Sequence, residues 1–267
     1  MTNIAIIGAA GRMGRRIAAL AIESGQFNIT AATDHPACDA IGKDVGELAG
    51  VGTFGLNVTA SLDALDADHG PDVAIDFSLP EGTMQALPLF RKQGVAMVIG
   101  TTGLTESQQA ELADTAGEIP IVFASNYSVG MNLLFKLVGE VAKVLGPQYD
   151  IDIEETHHRF KKDAPSGTAM TLAKNICASL GKDAGETIVL GRGGQQPRKD
   201  GEIGMHALRL GDTVGEHSVH YGCLGETVTL SHSAHTRDTF VRGALRAAQW
   251  VDGKKPGLYD MSNVLGL

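Results

Sequence analysis

Residues 3–14 read NIAIIGAAGRMG. A short apolar run stops at Gly8. A turn spaced by Gly8, Gly11 and Gly14 then leads into residues 12–24, where Met13, Ile17, Leu20 and Ala21 recur at helical spacing. The pattern is strand, glycine turn, helix. Gly8 permits the tight turn, Gly11 lets the backbone approach a pyrophosphate, and Gly14 lets the helix pack close to the sheet. The phosphates would sit on the helix N-terminus, where unpaired N–H groups and the helix dipole attract anions. The G-x-x-G-x-x-G spacing is one residue longer between its first two glycines than the common dinucleotide fingerprint. A second apolar run, 28–33, ends at Asp34, 20 residues beyond Gly14. An acid there can accept hydrogen bonds from both ribose hydroxyls of NAD. A glycine-rich turn beside a solvated acid would account for either feature alone; strand, glycines, helix and terminal acid together favour a dinucleotide site.

The alternation continues outward from this unit. Apolar runs at 72–78, 95–99 and 120–124 alternate with helical patterns over 81–93 and from Thr105, which has Gln108 as a capping-box partner. Such alternation implies a parallel sheet covered on both faces. Past Gly130 the pattern changes. An amphipathic helix at 131–145 stops at Gly146-Pro147, a strand follows at 150–156, and a helix at 165–180 stops at Gly181. Strands at 187–190, 203–210, 216–221 and 227–231 then follow with no long helix between them. Residues 191–202 (GRGGQQPRKDGE) read as a mobile loop, and a last helix spans 237–251. The expected fold class is α/β, a Rossmann-type parallel-sheet domain plus a smaller α+β domain with a mixed sheet, divided near residues 126–130.

Ligands of open α/β sheets bind at the carboxyl ends of strands. Gly100-Thr101-Thr102 and Ala124-Ser125-Asn126-Tyr127 end two of the expected strands and offer hydroxyls, amides and small residues to a nicotinamide ribose. Each reads equally well as turn chemistry. Asp34 repels a 2′-phosphate and is followed by His35 rather than an arginine. NADH is therefore the expected cofactor, with NADPH the alternative and Arg12 the candidate to reach its extra phosphate.

The chain carries a formal net charge of −9, with 43% hydrophobic and 20% charged residues over 267 positions. That composition fits a globular protein and argues against a general nucleic-acid or membrane-surface binder. Cys38, Cys177 and Cys223 are far apart and show neither a disulfide framework nor a zinc spacing, which points to a reducing cytoplasm. No apolar run approaches the roughly 20 residues of a spanning helix, and the N-terminus lacks the basic start of a signal peptide.

Against that acidic background, residues 155–169 (ETHHRFKKDAPSGTA) concentrate His157, His158, Arg159, Lys161 and Lys162 directly ahead of Pro165-Ser166-Gly167-Thr168. Pro165 suits the first position of a helix. Ser166, Gly167 and Thr168 would then present free N–H groups and hydroxyls to a carboxylate or phosphate. If 157–161 is extended, His157, Arg159 and Lys161 share one side. His157 becomes a proton donor near neutral pH, and Lys161 a charge partner or second donor. A solvated basic loop ahead of a capped helix explains the spacing equally well. His217 and His220, like His232 and His235, lie three apart, but no Cys or acid completes a metal site, and sheet or surface histidines are the expectation.

The same stretch resembles the signature of the dihydrodipicolinate reductase family, E-x-H-x-x-x-K-x-D-x-P-S-G-T-A, and matches it throughout. The resemblance covers nearly the whole chain, through GAAGRMG (8–14), VGELAG (45–50), IDFSLPEGT (75–83), VIGTTG (98–103), FASNYSVG (123–130) and GEHSV (215–219). Asp152 stands where the family usually has Glu. The resemblance implies NAD(P)H-dependent reduction of the cyclic imine dicarboxylate formed from 4-hydroxy-tetrahydrodipicolinate, in lysine and diaminopimelate biosynthesis. It implies His157 as proton donor and acceptor and Lys161 as second proton donor and substrate contact. His158, Gly167 and Thr168, beside Ser166, would hold the substrate dicarboxylate. Gly8, Ala9, Ala10, Gly11, Arg12 and Met13, with Asp34, Gly100 to Thr102 and Ala124 to Tyr127, would contact the cofactor. The last helix would return to the nucleotide domain. Residues 1–128 plus about 237–267 then form the dinucleotide-binding domain. Residues 129–236 form the substrate-binding and oligomerisation domain of a homotetramer. Relatives that follow the acid with arginine grip the 2′-phosphate of NADP; Asp34-His35 departs from that pattern. Two other readings fit parts of the sequence. A semialdehyde dehydrogenase needs a nucleophilic cysteine, whereas Cys177 lies in an apolar helical pattern. A non-enzymatic NAD(H) sensor would need a DNA-binding helix or basic patch, and the sequence shows neither.

Overall fold

A computed structural model describes residues 1–60 and 70–267 of the chain. The chain begins with β1 (Thr2–Ile7), α1 (Arg12–Ser24), β2 (Phe27–Thr33), the short α2 (Val45–Ala49), β3 (Val73–Asp76), α3 (Pro80–Gln93), β4 (Ala96–Ile99), α4 (Glu106–Thr115) and β5 (Pro120–Phe123). Then come α5 (Val129–Leu145), β6 (Asp150–His157), α6 (Gly167–Leu180), α7 (Ala184–Thr187), β7 (Ile188–Leu190), β8 (Ile203–Arg209), β9 (Gly215–Cys223) and β10 (Glu226–Ala234). It closes with α8 (Asp238–Val251), β11 (Gly257–Tyr259) and α9 (Met261–Leu265). Met1–Val129 and Asp238–Gly266 make one compact unit, and Gly130–Arg237 make another.

The first unit holds six strands in the order β11-β5-β4-β3-β1-β2, every neighbouring pair parallel. All residues of β3 and β4 are buried, as a sheet covered on both faces requires. On one face Ile4, Ile6, Ile75 and Val98 pack with Ile17 and Ala21 of α1 and Val241, Ala244 and Ala248 of α8. On the other, Ile7, Ala74 and Met97 pack with Leu87 and Phe90 of α3 and Leu112 of α4. Fully burying an Ile, Leu or Phe side chain is worth about 1.5–3 kcal/mol, so these two stripes supply most of what holds the unit together. The sequence's capping box is present: Gln108 N–H donates to the Thr105 hydroxyl (3.3 Å), and Thr105 N–H donates to the Gln108 side chain (2.8 Å). β1 lies between β2 and β3, so the order of strand addition reverses there. Such a reversal is where α/β sheets open a ligand crevice.

The second unit holds the order β10-β9-β6-β8-β7. The β10–β9 and β9–β6 pairs are antiparallel, while β6–β8 and β8–β7 are parallel. Its mixed sheet buries Ile151, Ile153, Val219 and Tyr221 against Met131, Leu134 and Val138 of α5 and Leu172 and Ile176 of α6. On β9 and β10, polar pairs such as Ser218–Ser231 and His220–Thr229 (both 3.0 Å) are exposed.

The structure corrects two expectations in this unit. The helix after the basic cluster starts at Gly167 with Ser166 as its N-cap, and Pro165 lies ahead of the cap, joined to Ala164 by a cis peptide. The chain is not extended over 157–161: Lys161 N–H donates to the His158 carbonyl (3.0 Å), which closes a turn at the end of β6. Residues 191–202 form a loop, as the sequence suggests, and carry several ion pairs. Arg198 pairs with Asp152 and Asp150 and donates to the Ile151 and Glu202 carbonyls (both 2.9 Å), while Arg192 pairs with Glu202.

Candidate functional site

In the first unit a cavity of about 990 Å³ opens at the carboxyl edge of the sheet, lined by Gly8, Gly11, Asp34, Phe77 and Ser78 among others. Gly8 adopts φ +75°, a left-handed conformation that costs glycine little and other residues more. A Cβ there would lie 3.1 Å from the Phe77 carbonyl, where the turns after β1 and β3 meet. At Gly14 a Cβ would sit 2.1 Å from the Gly8 carbonyl oxygen, so this glycine lets α1 close on its own turn. α1 starts with no side-chain cap and no acid in its first turn. Its N-terminal N–H groups suit a pyrophosphate, and the residues present therefore fit a dinucleotide.

Asp34 fastens the glycine turn before it holds anything else. Its Oδ2 accepts from Ala10 N–H and its Oδ1 from His35 N–H, both at 2.8 Å. A carboxylate offers about four acceptor sites, so both oxygens keep capacity for ribose hydroxyls. Arg12 is exposed and lies outside the cavity lining, whereas Arg15 and Lys43 are part of it. Arg15 Nε donates to the Ala10 carbonyl (2.7 Å). Lys43 precedes Asp44, whose carboxylate accepts from the N–H groups of Phe54, Glu47, Gly55 and Gly46. Those donors, Phe54 foremost, hold its pKa below the usual carboxylate range. Ala9 is buried in the core and Met13 packs against it.

At the ends of β3, β4 and β5 the side chains brace one another. Phe77 covers Gly100, where a Cβ would lie 2.1 Å from the ring. The Thr101 hydroxyl donates to Asp76 Oδ1 (3.3 Å), which also accepts from Ser78 N–H (2.9 Å). Asp76 is fully buried, and burial raises its pKa. The Tyr127 hydroxyl is buried between the carbonyls of Ile99 (2.9 Å) and Val122 (3.0 Å). Asn126 Oδ1 accepts from Ser128 N–H (2.9 Å). Thr102 and Ser125 are exposed, and Ala124 is half-buried.

The second unit gathers the charged residues around β6. Glu155 and His157 lie two apart and both are buried, with Glu155 fully so. Glu155 Oε2 lies 2.5 Å from His157 Nδ1, and Glu155 Oε1 accepts from Ser166 N–H (3.0 Å). Arg209, opposite His157 on β8, donates to both Glu155 oxygens at 2.9 Å. Burial works to raise the Glu155 pKa, but Arg209, His157 and Ser166 N–H outweigh it and hold the pKa below its ordinary value. The His157 pKa is lowered by burial first, then by Lys161 and Arg209, against an upward pull from Glu155. His217, opposite Glu155 on β9, meets the His157 ring edge-on at 5.1 Å, and its Nε2 lies 3.3 Å from the Ser166 hydroxyl.

The structure thus brings His157, Ser166 and Lys161 to the start of α6. Ser166 is not a free donor: its N–H serves Glu155, and its hydroxyl accepts from Ala169 N–H (3.1 Å). Gly167 is exposed and Thr168 half-buried in the first turn. Lys161 pairs with Asp163 (2.9 Å). His158 Nδ1 is buried with no hydrogen-bond partner among the described residues. Arg159 stacks over the exposed Phe160 ring (5.8 Å), and Lys162 is exposed. Among the described residues no group of His, Cys, Asp and Glu is arranged to hold a metal.

Residues 2–127 match the family described as dihydrodipicolinate reductase, N-terminus, and residues 130–265 match its C-terminus. The chain belongs to the dihydrodipicolinate reductase family. It is 51% identical to the 4-hydroxy-tetrahydrodipicolinate reductase of Alkalilimnicola ehrlichii, over 100% of this chain and 99% of that protein. It is 44% identical to the same-named protein of Hahella chejuensis, over 100% of both. The dipicolinate-bound dihydrodipicolinate reductase from Paenisporosarcina sp. shares the fold with a TM-score of 0.77, at 24% identity over 97% of each chain. An amine dehydrogenase from Mycobacterium smegmatis shares it more distantly, with a TM-score of 0.65, 13% identity, and coverage of 96% of this chain and 94% of that one. The likeness to a reductase family fits an oxidoreductase with a dinucleotide-binding fold.

Several residues that shape these family sites escaped sequence reasoning. Asp76 ends a buried strand in the motif 75–83, and that position alone could have drawn attention to it. Glu155 opens the 155–169 motif, but its partner Arg209 is 54 residues away. Arg15 and Lys43 left no signal, because their place in the cavity depends on how the turns after β1 and β2 fold.

Proposed function

We propose that the chain reduces the cyclic imine dicarboxylate formed from 4-hydroxy-tetrahydrodipicolinate to tetrahydrodipicolinate, the reductase step of lysine and diaminopimelate biosynthesis. The observation that carries this reading is His157 set against Glu155 at the start of α6, with Lys161 in the turn between. A nicotinamide cofactor held by the glycine turn and Asp34 of the first unit would supply the hydride for C4 of the conjugated imine. The enamine so formed takes a proton at the neighbouring carbon. His157 delivers that proton through Nε2, the ring nitrogen turned away from Glu155, and Lys161 is the second donor. His158, with Gly167 and Thr168 at the helix start, holds the carboxylates, since first-turn N–H groups and the helix dipole favour anions. Ser166 shapes this cradle through its bonds to Glu155 and Ala169.

The first unit binds the dinucleotide, with the glycine turn at the pyrophosphate and Asp34 at the adenosine ribose. NADH is the preferred cofactor because Asp34 repels a 2′-phosphate; Arg15 and Lys43 in the cavity wall support acceptance of NADPH. The enzyme works in the cytoplasm as a homotetramer assembled through the second unit. The exposed Leu208, Leu210 and Leu224 of that unit support burial against other copies.

The test is NADH and NADPH oxidation with enzymatically generated substrate. His157→Ala and Lys161→Ala should each lower kcat by about 10²–10⁴-fold, the usual contribution of a positioned proton donor, with KM for NADH little changed. Unchanged turnover in both variants would sink the assignment.

A further inference from the structure

We infer that Glu155, clamped by Arg209, is a positioning residue that fixes the tautomer of His157, with the proton on Nδ1 and Nε2 left as the reactive nitrogen. Among the described residues, every other group hydrogen-bonded to Glu155 is a donor. Arg209 gives both Nη groups, one to each oxygen, and Ser166 gives its N–H to Oε1. A guanidinium has no acceptor and does not lose its proton. The carboxylate they surround is thereby kept ionised and can only accept. A contact of 2.5 Å between its Oε2 and His157 Nδ1 then requires the hydrogen on Nδ1. The other side of the ring is arranged to match. Gly215 on β9 passes under Nε2, where a Cβ would lie 3.1 Å away, so no side chain from that position occupies the nitrogen. His217 meets the ring edge-on and directs its own Nε2 to Ser166 instead.

The sheet register produces this assembly. Glu155 and His157 fall on one face of β6, with Arg209 opposite His157 on β8 and His217 opposite Glu155 on β9. Arg209 therefore reaches diagonally across the ladder to the acid two residues back. Nothing in the local sequence around 155–169 shows the guanidinium that makes Glu155 an obligate acceptor.

The consequence for turnover rests on His157 being the proton donor proposed above, whereas the tautomer does not. Glu155→Gln separates the two. Its amide oxygen satisfies Ser166 N–H and Arg209 at the Oε1 position, so its NH₂ faces Nδ1 and drives the proton to Nε2. Solid-state ¹⁵N NMR of histidine-labelled protein at pH 8 reads this directly, with His157 assigned by the signal lost in His157→Ala. The wild type should show the Nδ1–H form and Glu155→Gln the Nε2–H form. The variant's kcat should fall by about 10²–10⁴-fold, the usual contribution of a positioned proton donor, with KM for NADH unchanged. An Nε2–H signal in the wild type overturns the inference, even if Glu155→Gln fails to fold. Retention of Nδ1–H in a folded Glu155→Gln overturns it as well. A switched tautomer with intact kcat upholds the positioning role and removes His157 from the chemistry.

Discussion

His217 is 4% exposed on the sheet face it shares with Glu155, and burial first, then the nearby His157, lowers its pKa to about 3. In the unfolded chain an imidazole keeps its ordinary value near 6.5. Between those two values the unfolded state takes up a proton that the folded state refuses. The stability at stake is complete above about pH 6.5 and declines toward 3, by about 1.4 kcal/mol per pH unit while this group alone titrates. Burial lowers His157 and His232 in the same direction. His217→Gln, which can still bond the Ser166 hydroxyl, should therefore lose less stability between pH 7 and pH 5 than the wild type, measured by urea unfolding. Equal losses would place the acid lability elsewhere. At this scale the sequence marked His157 and Lys161 by residue type and spacing. It read His217 only as a sheet or surface histidine and did not mark Arg209, because their neighbours are set by strand pairing and not by chain position.

Helix and strand signals are local, and most of them were legible. α1 follows its apolar spacing, and α4 its capping box. Expectations failed where a contact outside the element set the outcome. Ser166 caps α6 through its hydroxyl, which accepts from Ala169 N–H, while its own N–H is held by Glu155, so α6 starts past Pro165. The loop 191–202, expected from composition, carries ion pairs of Arg192 and Arg198 with acids of β6 and with Glu202 that its composition does not specify. β11 is three residues long and shows no periodicity; it pairs with β5 because α8 carries the chain back to that edge. The docking of α8 depends on Gly243, where a Cβ would lie 1.7 Å from the Tyr127 carbonyl oxygen. Backbone cannot yield as a flexible side chain does, so Gly243→Ala should cost about 3 kcal/mol or more. A thermal midpoint within a degree or two of wild type would refute that.

The first unit is built from two distant parts of the chain. Val241, Ala244, Ala247, Ala248 and Val251 of α8 are fully buried in the same core as Ile4 and Ile6 of β1. A protein ending at residue 237 would expose the part of that face covered by α8 and leave β5 as the sheet edge, paired with β4 alone. We expect such a truncation to lose cooperative unfolding by circular dichroism and to bind hydrophobic dyes. A cooperative transition at the full-length midpoint would show instead that residues 1–129 fold without α8.

What the amino-acid order determined by itself was the kind of structure and the kind of ligand. Periodicity, glycine turns and caps act over a few residues, so they specify a parallel α/β sheet with a dinucleotide turn and a mixed sheet with cations ahead of a helix. Only the tertiary structure decided which side chains share a proton, because Glu155 meets Arg209 across a 54-residue separation once β6 and β8 pair in register. That register is selected by burial of apolar faces such as Ile153 and Met205. Buried area is a property of the packed molecule, and no short window of sequence contains it.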